Sequence, residues 1–347
     1  MTAAALIAET VTKRFGSLAV VHDASLRLEP ATLTALLGAS GAGKSTLLRI
    51  LAGLEPLDAG HVRIGETVLS RPGMTVPAER RRTGLIFQDY ALFPHLTALQ
   101  NVAFGLTGKT RTEAAAIAAN WLDRLSLTHR AKAFPHQLSG GEQQRVAIAR
   151  ALAPNPDAIL MDEPLSGLDP ALEIEVREAA LKALHEAGKP ALLVTHDPAA
   201  AMAVADQLAI MRAGRIVQSG LPEDVYSHPV DVQVAQALGA FTVIALDELP
   251  EALLPQAAQT AVPGSRLGLR DEAVVFSPES SVTARVETVS FIGAFWRVAI
   301  TVAGKRGALH LTTRLSATDP KPNRGDSMPI CLRPHGRFIF PPAMTED

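Results

Sequence analysis

The sequence predicts an α/β fold in two parts: a parallel-sheet domain built around a phosphate-binding loop, carrying an antiparallel β subdomain and an inserted helical subdomain, then a small all-β domain. Three observations carry this. The apolar run Leu33-Thr34-Ala35-Leu36-Leu37 leads through Gly38-Ala39-Ser40-Gly41-Ala42-Gly43-Lys44-Ser45-Thr46 into Leu47-Leu48-Arg49-Ile50-Leu51, which reads as strand, sharp turn and helix. Two later apolar runs, Ala158–Met161 and Ala191–Val194, deliver polar residues at their C-terminal ends, where open α/β sheets place ligands. After about residue 240 the helical periodicity fades into short β-like segments punctuated by Pro and Gly.

In chain order, residues 4–30 alternate apolar and polar, as in Ser25-Leu26-Arg27-Leu28, and read as antiparallel strands. Phe15 sits at a turn among them, in Lys13-Arg14-Phe15-Gly16, where an aromatic either stacks on a nucleobase or packs as an ordinary core residue. From about 88 to 153 the pattern is helical, with Ala-rich Thr112–Leu125 at its centre, so a helical insertion is expected. Another helix is expected at Leu172–Glu186. In the tail, Arg266–Arg270, Ser281–Ser290, Trp296–Val302, Gly307–Thr312 and Ile330–Phe340 read as strands, with a hairpin turn at Gly304-Lys305-Arg306-Gly307. A small barrel of the oligonucleotide/oligosaccharide-binding kind fits that pattern. The domains are placed at 1–240 and 241–347.

Composition narrows the classes of function. At 347 residues and 47% hydrophobic the chain buries a sizeable core, and a formal net charge of −2 speaks against a dedicated nucleic-acid binder with its basic stripe. The single cysteine, Cys331, excludes an internal disulfide framework and points to a reducing compartment. Between Ile330 and Leu332 it reads as buried and inert. No apolar run reaches bilayer-spanning length and Met1–Thr10 lacks a signal-peptide pattern, so a soluble chain is expected, whatever it attaches to.

The turn at Gly38–Thr46 fits G-x-x-x-x-G-K-[ST]. Backbone N–H groups at a helix N-terminus cradle nucleotide phosphates, Lys44 reaches the β/γ oxygens and the Ser45 hydroxyl serves Mg²⁺. Asp162 and Glu163 follow a buried strand. The first suits a hard cation, and the second suits polarising the water that attacks the γ-phosphate. Leu138-Ser139-Gly140-Gly141-Glu142-Gln143-Gln144-Arg145 precedes the helical run Val146–Leu152 and opens a second helix N-terminus, hence a second anion site. A plain cap needs Ser139 but neither glycine. Two copies arranged head to tail would let each chain's serine–glycine turn close over the other's γ-phosphate.

The succession of phosphate loop, Gln88, Leu138–Glu142, Asp162-Glu163, Ser166-Gly167-Leu168-Asp169 and His196 resembles the nucleotide-binding subunits of ABC transporters, over roughly residues 4–240. The resemblance implies a P-loop NTPase that binds ATP with Mg²⁺ and hydrolyses it. It implies nucleotide contacts from Phe15, from Gly38, Ala39, Ser40, Gly41, Ala42, Gly43, Lys44, Ser45 and Thr46, and from Ser139, Gly140, Gly141, Glu142 and Asp169. Glu163, His196, Lys44 and Gln88 would serve catalysis, and Ser45, Gln88 and Asp162 the metal. Many members carry Tyr at the Phe15 place, so stacking is implied without a hydroxyl contact. The aromatic stretch Phe87–His95 would border a groove for a short helix of a membrane subunit; core packing of Phe87 and Phe93 is the other reading.

The tail, from Arg212–Gly220 and Pro222–Tyr226 onward, resembles importer ATPases with a C-terminal transport-associated, OB-like (TOBE) domain, and Arg270-Asp271-Glu272 and Phe291-Ile292-Gly293 fall where such domains carry related motifs. This implies an ATP-sandwich homodimer, two transmembrane permease subunits, an extracytoplasmic solute-binding protein acting indirectly, no nucleic acid, and a peripheral place on the cytoplasmic face of the inner membrane. Members serve sulfate, molybdate, ferric iron, polyamines, phosphonates and oligosaccharides; ferric iron or a small anion is preferred here. Rival readings are a soluble ABC ATPase of DNA maintenance or translation, which the lack of a long coiled coil and the single cassette oppose, and a phosphate-loop kinase, which leaves Leu138–Arg145 unexplained. The β-rich tail weighs against export.

Overall fold

The structure, a computed structural model, describes residues 4–164, 181–255 and 261–342. It divides into two compact units, Met1–Val225 and Tyr226–Asp347.

The first unit opens with β1 (Leu6–Phe15) and β2 (Leu18–Leu28), then β3 (Leu33–Leu37), α1 (Lys44–Ala52), β4 (Ala59–Ile64), β5 (Thr67–Arg71) and β6 (Met74–Thr75). The alternation is the cause of the first sheet: Ala24, Leu26 and Leu28 face the core while Ser25 and Arg27 face out. β2, β1, β4, β5 and β6 form a five-stranded antiparallel sheet in that order. After β7 (Thr83–Ile86) come α2 (Ala98–Ala103), α3 (Arg111–Arg124) and α4 (Gly140–Leu152), the expected helical insertion. Each of the three starts with a reciprocal cap, Thr97 with Gln100, Thr110 with Glu113 and Ser139 with Glu142.

β8 (Ala158–Asp162), β9 (Ala191–Val194), β10 (Gln207–Arg212) and β11 (Arg215–Gly220) complete a six-stranded sheet in the order β11-β10-β3-β9-β8-β7. β3 is buried along its whole length, with β9 and β10 as parallel neighbours. An unbroken apolar strand is what that position demands. Leu47, Leu48, Ile50 and Leu51 of α1 join Leu36, Leu160 and Val194 in one core. Of the expected helix Leu172–Glu186, residues 181–186 are described and helical; residues 172–180 lie outside the described residues.

The second unit holds β12 (Phe241–Ala245), β13 (Arg266–Arg270), β14 (Val274–Phe276), β15 (Thr283–Phe291), β16 (Phe295–Ala303), β17 (Ala308–Ser316), β18 (Ser327–Leu332) and β19 (Arg337–Phe340). They form a three-stranded sheet, β12-β13-β19, and a five-stranded sheet, β14-β18-β15-β16-β17. Leu267, Leu269, Val286, Ile300 and Ile330 from both share a core. The hairpin at 304–307 forms, with Gly304 N–H donating to Gly307 O at 2.8 Å. Ile330–Phe340 is two strands in different sheets. Pro334 cannot donate to a ladder and Gly336 takes φ 75°, so the run breaks there. Cys331 is half-buried rather than fully buried, since its neighbours in β18 alternate faces. The short helix Val232–Ala237 clusters with this unit, because buried Arg270 donates to the Ala235 and Tyr226 carbonyls.

Candidate nucleotide site

β3, β9, β8 and β7 are parallel neighbours, so their C-terminal ends share one edge of the sheet. The register sets Leu36 beside Val194, Met161 beside Leu193, and Ile86 beside Met161. Gly38, His196, Glu163 and Gln88, each a step or two further on, therefore leave the sheet side by side. The ladder extends past the strands: Thr195 N–H donates to Leu36 O at 3.2 Å, and Glu163 N–H to Val194 O at 2.9 Å.

Gly38 and Gly43 close tightly on their neighbours. A Cβ on Gly38 would meet Met211 O at 2.3 Å, and one on Gly43, at φ 101°, would meet Val20 O at 2.5 Å. Only glycine fits either place. Gly43 is the N-cap of α1, and it has no side chain to cap with; the first turn carries no acidic residue. The N-terminal donors of α1 thus stay available to an anion. Lys44 is buried, and its ammonium donates to Gly38 O at 2.7 Å and Ala39 O at 3.1 Å. Burial lowers its pKa, and the Glu163 and Asp162 carboxylates oppose that. Ser40 and Ser45 are exposed, and Thr46 is half-buried.

Ser45 Oγ donates to Asp162 Oδ1 at 3.3 Å, so hydroxyl and carboxylate oxygens, a hard donor set, stand together beside the loop. Burial pushes the Asp162 carboxyl above the ordinary aspartate value, against the Ser45 hydrogen bond and the nearby Arg49 and Lys44 charges, with Glu163 adding to the rise. Glu163 takes φ 45°, a left-handed conformation that costs a side-chain-bearing residue energy and is stored at functional sites. It brings Glu163 Oε1 to 2.8 Å from His196 Nδ1. The His196 side chain is 62% exposed and that of Glu163 22%, so the pair faces outward from the edge with the carboxylate sheltered.

Ser139 caps α4, its Oγ accepting from Glu142 N–H at 3.3 Å while Glu142 Oε2 accepts from Ser139 N–H at 2.8 Å. Arg130 Nε donates to Glu142 Oε1 at 2.8 Å. Both Glu142 oxygens are therefore committed inside the chain. In this chain the Glu142 carboxyl shapes the turn that carries Ser139. Among the described residues Ser139, Gly140 and Gly141 make no hydrogen bond to residues 38–46.

The ABC transporter family profile matches residues 21–166, and a TOBE domain profile matches 267–340. The Fe(3+) ions import ATP-binding protein FbpC of Brucella melitensis biotype 1 is 40% identical over 286 residues, 78% of this chain and 80% of that one. The chain belongs to the ABC transporter family. FbpC of Pseudomonas fluorescens Pf-5 is 48% identical over 236 residues, 68% of this chain and 66% of that protein. FbpC 1 of Rhodococcus jostii RHA1 is 40% identical over 298 residues, 84% of this chain and 85% of that one. Among solved structures, the dimeric ATP-binding cassette MJ0796 in a post-hydrolysis state with ADP and Pi is 32% identical at TM-score 0.55, covering 62% of this chain and 98% of that one.

Within this ABC ATPase the other expected site residues are spread out. Phe15 is 50% exposed at the β1–β2 turn, its ring 5.1 Å from the Lys13 ammonium. Lys13 pairs with Glu55 at 2.7 Å and Arg14 N–H donates to Asp58 at 2.6 Å, so the turn is tied to the loop after α1. Gln88 is exposed just past β7. Asp169, with Ser166-Gly167-Leu168, lies outside the described residues. Phe93 is half-buried against Phe104, ring centres 4.2 Å apart. A cavity of about 710 Å³ opens beside β7, lined by Leu85, Leu106, Ile117, Pro154, Arg82 and Lys109 among others.

Arg81 belongs to no motif in the sequence. It is buried without a carboxylate, donating to the Ile50 and Leu51 carbonyls at 2.8 and 2.7 Å and so finishing the C-terminal end of α1. Burial pulls its pKa down to about 10. A Cβ on Gly53 would sit 2.3 Å from its Nε, and that glycine next to the helix end is the one sequence signal for it.

Proposed function

We propose that this chain is the ATP-hydrolysing subunit of an ABC importer of ferric iron, working as a head-to-tail pair of copies. The observation that carries the ATPase chemistry is the convergence of Lys44, Ser45 with Asp162, and Glu163 with His196 at one sheet edge. Lys44 and the open N-terminus of α1 bind the phosphates. Ser45 and Asp162 would hold Mg²⁺, which supplies charge neutralisation at the β- and γ-oxygens when bound. Glu163 accepts the proton of the water whose oxygen attacks the γ-phosphorus as the bond to the β–γ bridging oxygen breaks, giving ADP and inorganic phosphate. His196 holds that carboxylate in place and lies near the position of the γ-phosphate, while Gln88 beside it senses the metal. Phe15 stacks on the adenine.

The pairing is supported by the lack, among the described residues, of a hydrogen bond from Ser139, Gly140 or Gly141 to residues 38–46 and by the dimeric structure of the similar MJ0796 cassette. Ser139, Gly140 and Gly141, with Asp169, would complete the partner copy's site. No helix among the described residues is long and apolar enough to cross a membrane, so two separate permease subunits carry the solute, docking a short helix by Phe87–His95 and the cavity beside β7. An extracytoplasmic solute-binding protein feeds them, and the chain sits on the cytoplasmic face of the inner membrane. Ferric iron is preferred because the FbpC relatives bear that name.

Glu163→Gln tests the chemistry: ATP binding stays, and turnover falls by about 10²–10⁴-fold, leaving an ATP-stabilised dimer. ATPase activity near wild type would remove Glu163 from the role. Loss of ferric-iron uptake on deleting the chain tests the solute.

A further inference from the structure

The turn directly after Gln88 is held by a residue for which the nucleotide chemistry above has no use. Tyr90 and Ala91 are consecutive left-handed residues at φ 59° and 45°, neither a glycine, and each step is disfavoured by its own Cβ. The turn starts with Tyr90 N–H donating to Phe87 O at 3.0 Å. Both strained residues aim their carbonyls at one guanidinium: Arg150 donates from Nη2 to Tyr90 O at 2.7 Å and from Nη1 to Ala91 O at 2.6 Å. The same guanidinium lies 5.7 Å from the Phe93 ring centre. Burial lowers its pKa while Asp89, in the same turn, opposes that.

Further along, a different residue takes over. Buried Asn101 accepts from Phe93 N–H at 2.8 Å and donates to the Phe93, Leu96 and Thr97 carbonyls at 3.2, 3.0 and 3.1 Å. Arg150 therefore holds the part of the turn just past Gln88, at Tyr90 and Ala91, and the Gln88 side chain itself makes no hydrogen bond among the described residues. Arg150 stands in the last turn of α4, and that helix begins at Ser139. Thirteen continuous helical residues make a rod of about 20 Å.

We propose that Arg150 is a positioning residue for hydrolysis: its two-pronged hold on Tyr90 and Ala91 fastens the Gln88 turn to the far end of the helix that carries Ser139, so the two move as one piece. The consequence for turnover rests on the ATPase reading above; the hold itself does not. A planar fork bonding two carbonyls is a job for arginine, which lysine, a point donor on a flexible stem, does poorly.

The test uses the full chain as wild type, Arg150→Lys, Arg150→Gln, Ala91→Gly and the double variant Arg150→Gln with Ala91→Gly. Hydrogen exchange without nucleotide reads the hold: Arg150→Gln speeds exchange in 87–92, Arg150→Lys does so less, and glycine at 91, which accepts a left-handed φ freely, slows it again in the double variant. Steady-state ATPase reads the consequence: Arg150→Gln lowers kcat on the order of tenfold with KM for ATP unchanged, and Ala91→Gly restores about threefold of that. A residue that merely stabilises α4 would not be rescued by a glycine in another segment. Wild-type exchange in 87–92 for Arg150→Gln overturns the hold, and an exchange change without a kcat change, or without rescue, overturns the coupling. A wild-type chain that hydrolyses no ATP would instead sink the ATPase reading, with the exchange data still deciding the hold.

Discussion

Two helices of the first unit have glycine at their N-terminal ends, and they are finished in opposite ways. α1 starts at Gly43 with no side-chain cap and no acid in its first turn, whereas α4 starts at Ser139 with a reciprocal cap to Glu142, itself anchored by Arg130. The first leaves its donors open and adds the Lys44 charge beside them; the second satisfies part of its own N-terminus and keeps a carboxylate in the first turn. Both are helix N-termini with the same dipole. What separates them is how many donors the chain has already used, and the proposed function builds on that difference: α1 would take a phosphate by itself, and α4 would add to a partner copy's site.

The largest expected effect falls on the open terminus. Lys44→Ala removes a charged donor from the loop, and affinity for ATP drops by at least about 100-fold, equal to the loss of roughly two charge-assisted hydrogen bonds. Equilibrium binding of a fluorescent ATP analogue to the full chain measures it. Retention of wild-type affinity would mean that the α1 terminus is not the principal anion site.

Ser139→Ala acts on the closed terminus and splits differently. Losing the cap costs about 1 kcal/mol, a fall of about 2–4 °C in the melting temperature. ATP affinity of the dilute chain stays within about twofold of wild type, because that site is α1 alone. Turnover falls, and more steeply at low protein concentration, where pairing limits it. Should Ser139→Ala weaken ATP binding in dilute chain as much as Lys44→Ala does, the two termini form one site in one chain and the head-to-tail arrangement is unnecessary.

The same contrast marks how far the sequence could be read. The loop at 38–46 was legible because its chemistry is local: strand, glycines and lysine lie in one short run. So were Asp162, Glu163 and His196, since strand ends announce themselves by an apolar run that stops. Ser139-Gly140-Gly141-Glu142 carries two messages in the same four residues, an anion site and the S-x-x-E cap, and the structure shows the cap formed. Arg81, Asn101 and Arg150 left almost no trace. Their partners are backbone carbonyls, far along the chain for Arg81 and Arg150 and a few residues back for Asn101, and a carbonyl is the same at every residue, so no residue pattern foretells the pairing. In the second unit β12 went unread for a related reason: Phe241–Ala245 packs its Phe241 ring where a Cβ on Gly268 would stand, a fit between distant residues rather than a periodicity.

The smallest effect distinguishes the two carboxyls of the first unit most finely. Glu142 is held below the ordinary glutamate value by the Ser139 N–H and by Arg130, which together outweigh burial, the largest single influence, whereas burial holds Asp162 above its own. A carboxyl whose folded pKa is raised stabilises the fold when protonated, and that contribution is lost as pH rises through the raised value; a lowered one works in the reverse sense, lost as pH falls. Asp162→Asn keeps an acceptor for Ser45 Oγ and removes the buried charge. Without nucleotide it should melt at or slightly above wild type at about pH 8, with the difference shrinking toward about pH 4 as Asp162 takes up its proton. Glu142→Gln should show the opposite trend, melting below wild type at the higher pH and converging at the lower. Adding ATP with Mg²⁺ should then raise the wild-type midpoint more than that of Asp162→Asn, since the cost of keeping that carboxylate ionised is recovered only when a cation sits on it. Melting curves at the two pH values, with and without MgATP, decide it: an Asp162→Asn chain less stable than wild type at about pH 8 in the absence of nucleotide would show that the carboxylate serves the fold and not the metal.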